Sequence, residues 1–282
     1  MRPGFTCMAS VLCNCHTHLG DAFISLPERD WTVEELVAPP DGYKHRRLRE
    51  ASRDEVIEGM RGALTEMREG GITHFIDFRE GGIAGVELLD EALQTVENIT
   101  GIIMARPREH DYDEAEMEEL LRSADGIGVS SAADWDYGEL EKVAIHTRQR
   151  GKLFALHASE TVREDIDAVL ALQPSFLVHL CRATEEDLQA VAAAGVPVVV
   201  CPRANAFFGL QPPVERMLEL DIPLLLGTDN AMLASPDIRE EMAYTREYFA
   251  VSPGDVAVMT AMNPRKYLNV RGNIHQRAGG KP

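Results

Sequence analysis

Val11-Leu12-Cys13-Asn14-Cys15-His16-Thr17-His18 is an apolar run that ends in two imidazoles. In an extended strand, residues two apart share a side, so His16 and His18 emerge together where the strand stops. That spacing suits a metal, although two histidines in this pattern carry little weight alone. Three further runs end in a ligand-type residue: Leu153-Phe154-Ala155-Leu156-His157, Phe176-Leu177-Val178-His179 and Leu224-Leu225-Leu226-Gly227-Thr228-Asp229. Four strand ends with one kind of chemistry point to a single shared site.

The same runs set the fold. β-type segments occur at 11–18, 74–78, 100–106, 126–131, 152–158, 175–180, 197–203 and 223–229. After the first gap they recur about every 25 residues with helical patterns between them, which is βαβ alternation and implies a parallel sheet. Eight units predict one (β/α)8 TIM barrel of 282 residues, an α/β fold without a flanking β-sandwich. A doubly wound sheet is disfavoured because no Gly-x-Gly-x-x-Gly follows the first strand.

Helix starts are readable. Ser52 with Glu55 forms a capping-box pattern ahead of Val56, Met60, Ala63, Leu64 and Met67 on one face. Thr184 with Asp187 opens a second helix that ends at Gly195, and Pro236 stands near the start of a third through Ile238, Met242 and Phe249. The first gap, 19–51, is a long loop after strand 1 with the basic cluster Lys44-His45-Arg46-Arg47-Leu48-Arg49. Loops on that face of a barrel build the active site, so it is expected to be either a lid or a solvated, mobile excursion. Residues 270–282 read as a short polar tail.

Composition excludes several functions. A net charge of −18 argues against a nucleic-acid surface. No apolar stretch approaches the roughly eighteen residues of a membrane span. Met1 to Cys13 resembles a signal peptide only loosely, since cleavage there leaves His16 at a ragged end; a cytoplasmic chain is expected. The five cysteines (Cys7, Cys13, Cys15, Cys181, Cys201) lack a framework spacing, and Cys15 is expected to face away from His16 as a buried strand residue.

His16, His18, His157, His179 and Asp229 thus fall at the carboxyl ends of strands, where barrel active sites form. Imidazole and carboxylate together suit Zn²⁺ or Fe²⁺, and such a metal supplies hydroxide at neutral pH. Glu160, three residues beyond His157, is placed to carry a proton from water to a leaving or ring nitrogen. The competing reading is a helix first-turn acid.

Taken together, the motifs resemble the amidohydrolase superfamily, in its mononuclear deaminase-like branch of adenosine, cytosine and guanine deaminases. The matching pieces are Asn14-Cys15-His16-Thr17-His18-Leu19, Gly71-Ile72-Thr73 leading to Asp77, His157-x-x-Glu160, Val178-His179, Cys201-Pro202-Arg203-Ala204-Asn205, Gly227-Thr228-Asp229-Asn230 and Ala261-Met262-Asn263-Pro264. The resemblance implies one divalent metal, zinc or iron(II), on His16, His18, His157 and Asp229. It also implies that Asp229 takes a proton from the activated water and that His179 steadies the hydroxide or the developing oxyanion. Glu160 would then protonate the heterocycle nitrogen. No lysine ends strand 4, so a binuclear site with a carboxylated lysine is not expected.

Arg79, Arg106, Arg182 and Arg203 lie at or just after strand ends. Arg79, Arg106 and Arg203 are candidate ligands for a carboxylate or phosphate on a small-molecule substrate, with pairing to neighbouring acids as the alternative. Trp135, Tyr137, Phe207 and Phe208 are placed to stack on a heterocycle or to pack within loops. His45, His74, His110, His146 and His275 have no evident catalytic partner. The leading expectation is a deaminase of an amino-substituted heterocycle. Amide C–N hydrolysis and a non-catalytic metal-binding barrel are the alternatives, and the oligomeric state is left open.

Overall fold

The computed structural model describes residues 11–268 and residue 270. Cys7, His275 and nearly all of the polar tail lie outside the described residues.

Apolar side chains alternate along the strands, and the alternation builds two cores. Val198, Val200, Leu224 and Leu226 pack outward with the helices, whereas Val199 and Leu225 join Phe78, Met104, Phe176 and Val178 in an inner cluster. One sheet results, with neighbouring strands parallel: β1 Cys13–His18, β2 His74–Arg79, β3 Thr100–Ala105, β4 Gly126–Val129, β5 Leu153–Ala158, β6 Phe176–His179, β7 Val198–Val200, β8 Leu224–Leu226 and β9 Asp229–Asn230.

The last two strands are pieces of one segment. β8 pairs with β7, and β9 pairs with β1 through Thr17 and His18. Between them the Gly227 amide donates to the Val200 carbonyl (3.0 Å) and the Thr228 amide to the His16 carbonyl (3.1 Å). The sheet order therefore closes on itself, giving the (β/α)8 barrel that the strand rhythm predicts. Asn14 locks the seam: its Nδ2 donates to Thr228 Oγ1 (2.7 Å) and to the Pro236 carbonyl, while its Oδ1 accepts from the Thr228 amide. Asn263, from the Ala-Met-Asn-Pro motif, donates to the Leu224 carbonyl at 2.7 Å and so ties down the far end of β8.

Two strands stop earlier than their apolar runs suggest. β7 ends at Val200 because Pro202 opens the helix Pro202–Phe207, where its missing N–H costs nothing. β4 ends at Val129, and Ser131 caps the next turn. The helices Arg53–Glu69 and Glu185–Ala194 carry the capping boxes at Ser52 and Thr184, and Gly195 ends the second with φ 66°. The third starts just past Pro236, where Asp237 caps Ile238–Tyr248, and it stops one residue short of the expected Phe249.

The cysteine expectation needs correction. β1 and β2 shift register between Asn14 and Thr17, the mark of a bulge. Cys13 and Cys15 both join the inner cluster, and the His16 ring packs on Phe78 of that cluster (centroids 4.5 Å). The bulge lets sequence neighbours Cys15 and His16 both border the barrel interior, which strict alternation forbids.

The 19–51 segment is not irregular throughout. It holds short helices at Val33–Leu36 and Tyr43–Glu50, the second carrying the basic cluster. Among the described residues no helix is long and apolar enough to cross a membrane.

Candidate active site

His16 and His18 reach the barrel mouth from the end of β1, His157 from β5, His179 from β6 and Asp229 from β9. The structure brings all five together. His16 Nε2 lies 3.2 Å from His157 Nε2 and 3.3 Å from Asp229 Oδ1, and His18 Nε2 lies 3.5 Å from that same oxygen. Two sets of potential ligand atoms share His16: one with His18 and His157, the other with His179 and Asp229. Gly227 makes the approach feasible, since a Cβ there would stand 2.6 Å from His16 Cβ.

His179 arrives by a different route. Phe176 and Val178 point inward, so an extended His179 would point outward; its left-handed backbone (φ 80°) breaks that alternation. Asp229 (φ 65°) and Ser159 (φ 46°) are likewise left-handed. Non-glycine residues in this region carry strain of about 1–3 kcal/mol each and tend to gather at functional sites.

Three of the four rings are turned by a second contact. His157 Nδ1 donates to the Val129 carbonyl (2.9 Å), so its Nε2 bears the lone pair facing the cluster. His18 Nδ1 donates to Glu80 Oε1 (2.8 Å), which leaves its Nε2 in the same state. Asn205 Nδ2 lies 3.2 Å from His179 Nδ1; an amide nitrogen only donates, so that ring nitrogen accepts and Nε2 carries the proton. This Nε2 faces Glu160 Oε1 at 3.7 Å and Asp229 Oδ2 at 4.0 Å. His16 Nδ1 has no hydrogen-bond partner among the described residues, so the ring's polar contacts all run through Nε2 into the cluster.

The electrostatics agree with that geometry. Burial, followed by the charge of Lys44, depresses His18 to about 3. Burial and the neighbouring imidazoles hold His157 well below its usual range, and burial outweighs Asp229 in lowering His16. These rings are neutral and free to ligate. Burial opposes ionisation of Asp229, yet its hydrogen bond to His16 and the attraction of the surrounding imidazoles keep it well below the ordinary carboxylate range. Neutral imidazoles around an ionised carboxylate are a donor set that fits a divalent transition metal. Glu160 moves the other way: burial raises its pKa, against the pull of His179.

The remaining expected residues divide. Arg79 is 2% exposed and paired with Asp77 (3.5 Å) and Glu80 (2.7 Å). Arg203 pairs with Glu240 (2.8 Å), and Arg182 is exposed. Arg106 lines the cavity that holds His18, His157, Glu160, His179 and Asp229. Trp135, Tyr137, Phe207 and Phe208 do not line that cavity: Trp135 stacks near His110, Tyr137 donates to the Ala168 carbonyl, and the two phenylalanines pack on each other.

Sequence reasoning assigned no role to three residues. Glu80 Oε1 accepts from Lys44 (2.6 Å) as well as from His18, so the helix of the first gap is joined to a candidate ligand through one carboxylate. Asn205 lies between His179 and Glu160, its Nδ2 3.4 Å from Glu160 Oε1. Lys44 showed only as one charge in a basic cluster, and nothing in the sequence marked it as buried.

Comparison with known proteins agrees with this picture. Residues 2–276 match the model of a family described as the amidohydrolase family. An uncharacterized protein of Methanocaldococcus jannaschii is 36% identical over 92% of this chain and 72% of its own length. A 5-methylthioadenosine/S-adenosylhomocysteine deaminase of Pyrococcus furiosus is 22% identical over 93% of this chain and 70% of its own. Among solved structures, a zinc-bound adenosine deaminase from Xanthomonas campestris superposes with a TM-score of 0.72 at 17% identity, over 92% of this chain and 67% of the other.

Proposed function

The chain belongs to the amidohydrolase family, hydrolases of C–N bonds, and from that premise we propose that it is an aminohydrolase releasing ammonia from an amino-substituted nitrogen heterocycle. The observation that carries this reading is Glu160, a carboxyl with a raised pKa beside His179 and Asp229 in one cavity. Amide hydrolysis has less use for such a group. Delivering a proton to a ring nitrogen requires it.

His16, His18, His157 and Asp229 would hold one divalent ion, zinc or alternatively iron(II). Such an ion supplies hydroxide near neutral pH by lowering the pKa of water to about 7. Asp229 would take a proton from the attacking water and pass it to the departing amine, which leaves as ammonia. His179 offers its Nε2 proton to the negative charge that develops at the attacked carbon's substituent. Glu160, whose pKa burial raises, would give a proton to the ring nitrogen conjugated with the departing amine, and Asn205 holds both Glu160 and His179 in place. The names of relatives that deaminate adenosine-type molecules support this reading.

The test is ammonia release across a heterocycle panel by the metal-loaded protein. Glu160→Gln is expected to lower kcat by about 10²–10⁴-fold with metal content unchanged. Full retention of turnover in that variant would reject deamination and favour hydrolysis of an amide C–N bond.

A further inference from the structure

Arg106 is 7% exposed, and its guanidinium makes no ion pair or hydrogen bond with any described residue; Nε is fully enclosed without an acceptor. Charged side chains are rarely buried this far unless paired. Two carboxylates lie near it without bonding it: Glu80, whose Oε1 accepts from Lys44 and His18 and whose Oε2 accepts from Arg79, and Asp134, which lines the same cavity. Ser130, on the next strand end, is equally buried, and its Oγ also lacks a partner among the described residues. Both side chains line the catalytic cavity.

That cavity is small, about 150 Å³. Ordinary ligand pockets run to roughly 300–1,000 Å³. A second cavity of about 750 Å³ adjoins it and shares Arg106 and Pro39 as walls. Its lining mixes apolar side chains (Leu48, Met60, Leu88) with charges of both signs, Arg49 and Arg108 beside Glu109 and Asp111.

We infer that the substrate is an amino-heterocycle whose substituent carries an anionic group, a carboxylate or a phosphate, bound by Arg106 and Ser130 where the two cavities meet, with the rest of the substituent in the larger one. The inference rests on the proposed deamination for what occupies the smaller cavity. A buried guanidinium without a counterion is costly in the empty protein, and a ligand anion supplies the missing partner through paired N–H donors.

The experiment uses matched amino-heterocycles, neutral, carboxylate-bearing and phosphate-bearing, with the metal-loaded wild type, Arg106→Gln and Ser130→Ala. Wild type is expected to prefer one anionic member. Arg106→Gln should raise KM for that member roughly 10- to 100-fold more than for the neutral member. The preferred arm identifies the anion. Ala84→Trp, at an exposed position lining the second cavity, should raise KM for long substituents and spare short ones. Thermal titration with inorganic phosphate and with acetate judges Arg106 without turnover, so it decides the matter even if no panel member is deaminated. Stabilisation of wild type but not of Arg106→Gln supports the site. Equal response of the two proteins to both anions overturns it, as does a lowered melting temperature in Arg106→Gln with unchanged anion binding, the sign of a structural role.

Discussion

The two sides of the barrel mouth are buried to the same degree but are built on opposite terms. On the side of β1, β5, β6 and β9, imidazoles turn their lone pairs or protons toward one ionised carboxylate, and the rings of His18, His157 and His179 are fixed from behind by an outside contact. On the side of β2, Arg79, Lys44, Asp77 and Glu80 neutralise one another at 2.6–3.5 Å. Burial of a polar group therefore does not mark a binding site. What sets Arg106, just past the end of neighbouring β3, apart from Arg79 is a buried charge without a partner on the wall of the catalytic cavity.

The most damaging way to break this contrast lies on the imidazole side. His157→Ala removes the ring that faces His16, and turnover is expected to fall by more than about 10³-fold together with loss of bound metal, measured by metal analysis beside ammonia release. Retention of stoichiometric metal and full activity would mean that His157 is only a packed core histidine.

The charged side should respond in stability first. Arg79→Met leaves buried Asp77 without its cation and is expected to cost about 3–5 kcal/mol in denaturant unfolding, whereas Lys44→Met leaves Glu80 paired with Arg79 and should cost less. Arg106→Met, at comparable burial, should leave stability at or above that of wild type, because no partner is abandoned. Equal losses at Arg79 and Arg106 would erase the distinction between them. Lys44→Met also loosens Glu80 on His18, so metal affinity should fall by about 10–100-fold, the usual effect of disturbing a ligand's supporting contact.

The contrast also explains what could be read from the chain alone. His18 and His157 were legible because each terminates an apolar run and strand periodicity turns that position into a direction; His16 and Asp229 were legible by place, the bulge at one and the left-handed backbone of the other departing from that periodicity. His179 was legible by place but not by orientation, since its left-handed backbone departs from that periodicity. Closure of the barrel followed from counting strands, whereas the split between β8 and β9 and the bulge beside Cys15 depend on pairing across the sheet. Lys44, Glu80 and Asn205 could not be assigned roles. Their functions arise from contacts 26–62 residues distant in sequence, which no local pattern encodes. The arginines show the same limit: position suggested an anion site for Arg79, Arg106 and Arg203, and only the partners separated them.

Glu241 tests the criterion on a third group, with the smallest expected effect. It is fully buried on the helix Ile238–Tyr248; its Oε1 accepts from the Arg203 amide (2.8 Å), and its Oε2 has no hydrogen-bond partner among the described residues. Burial pushes its pKa up to about 8, against the pull of the Arg203 amide and charge, with Asp229 and Glu240 adding to the rise. A carboxyl whose pKa is raised on folding stabilises fully below its unfolded value, near 4.3, and the benefit is lost as pH rises through the folded value. Wild-type melting temperature is therefore expected to decline between about pH 4.5 and pH 8 by this contribution. Glu241→Gln keeps the acceptor and the shape but cannot ionise, so it should match wild type near pH 5 and exceed it at pH 8. Parallel melting curves across that range would show that Glu241 is already ionised, and that Arg203, 3.9 Å from its Oε2, acts as its partner after all.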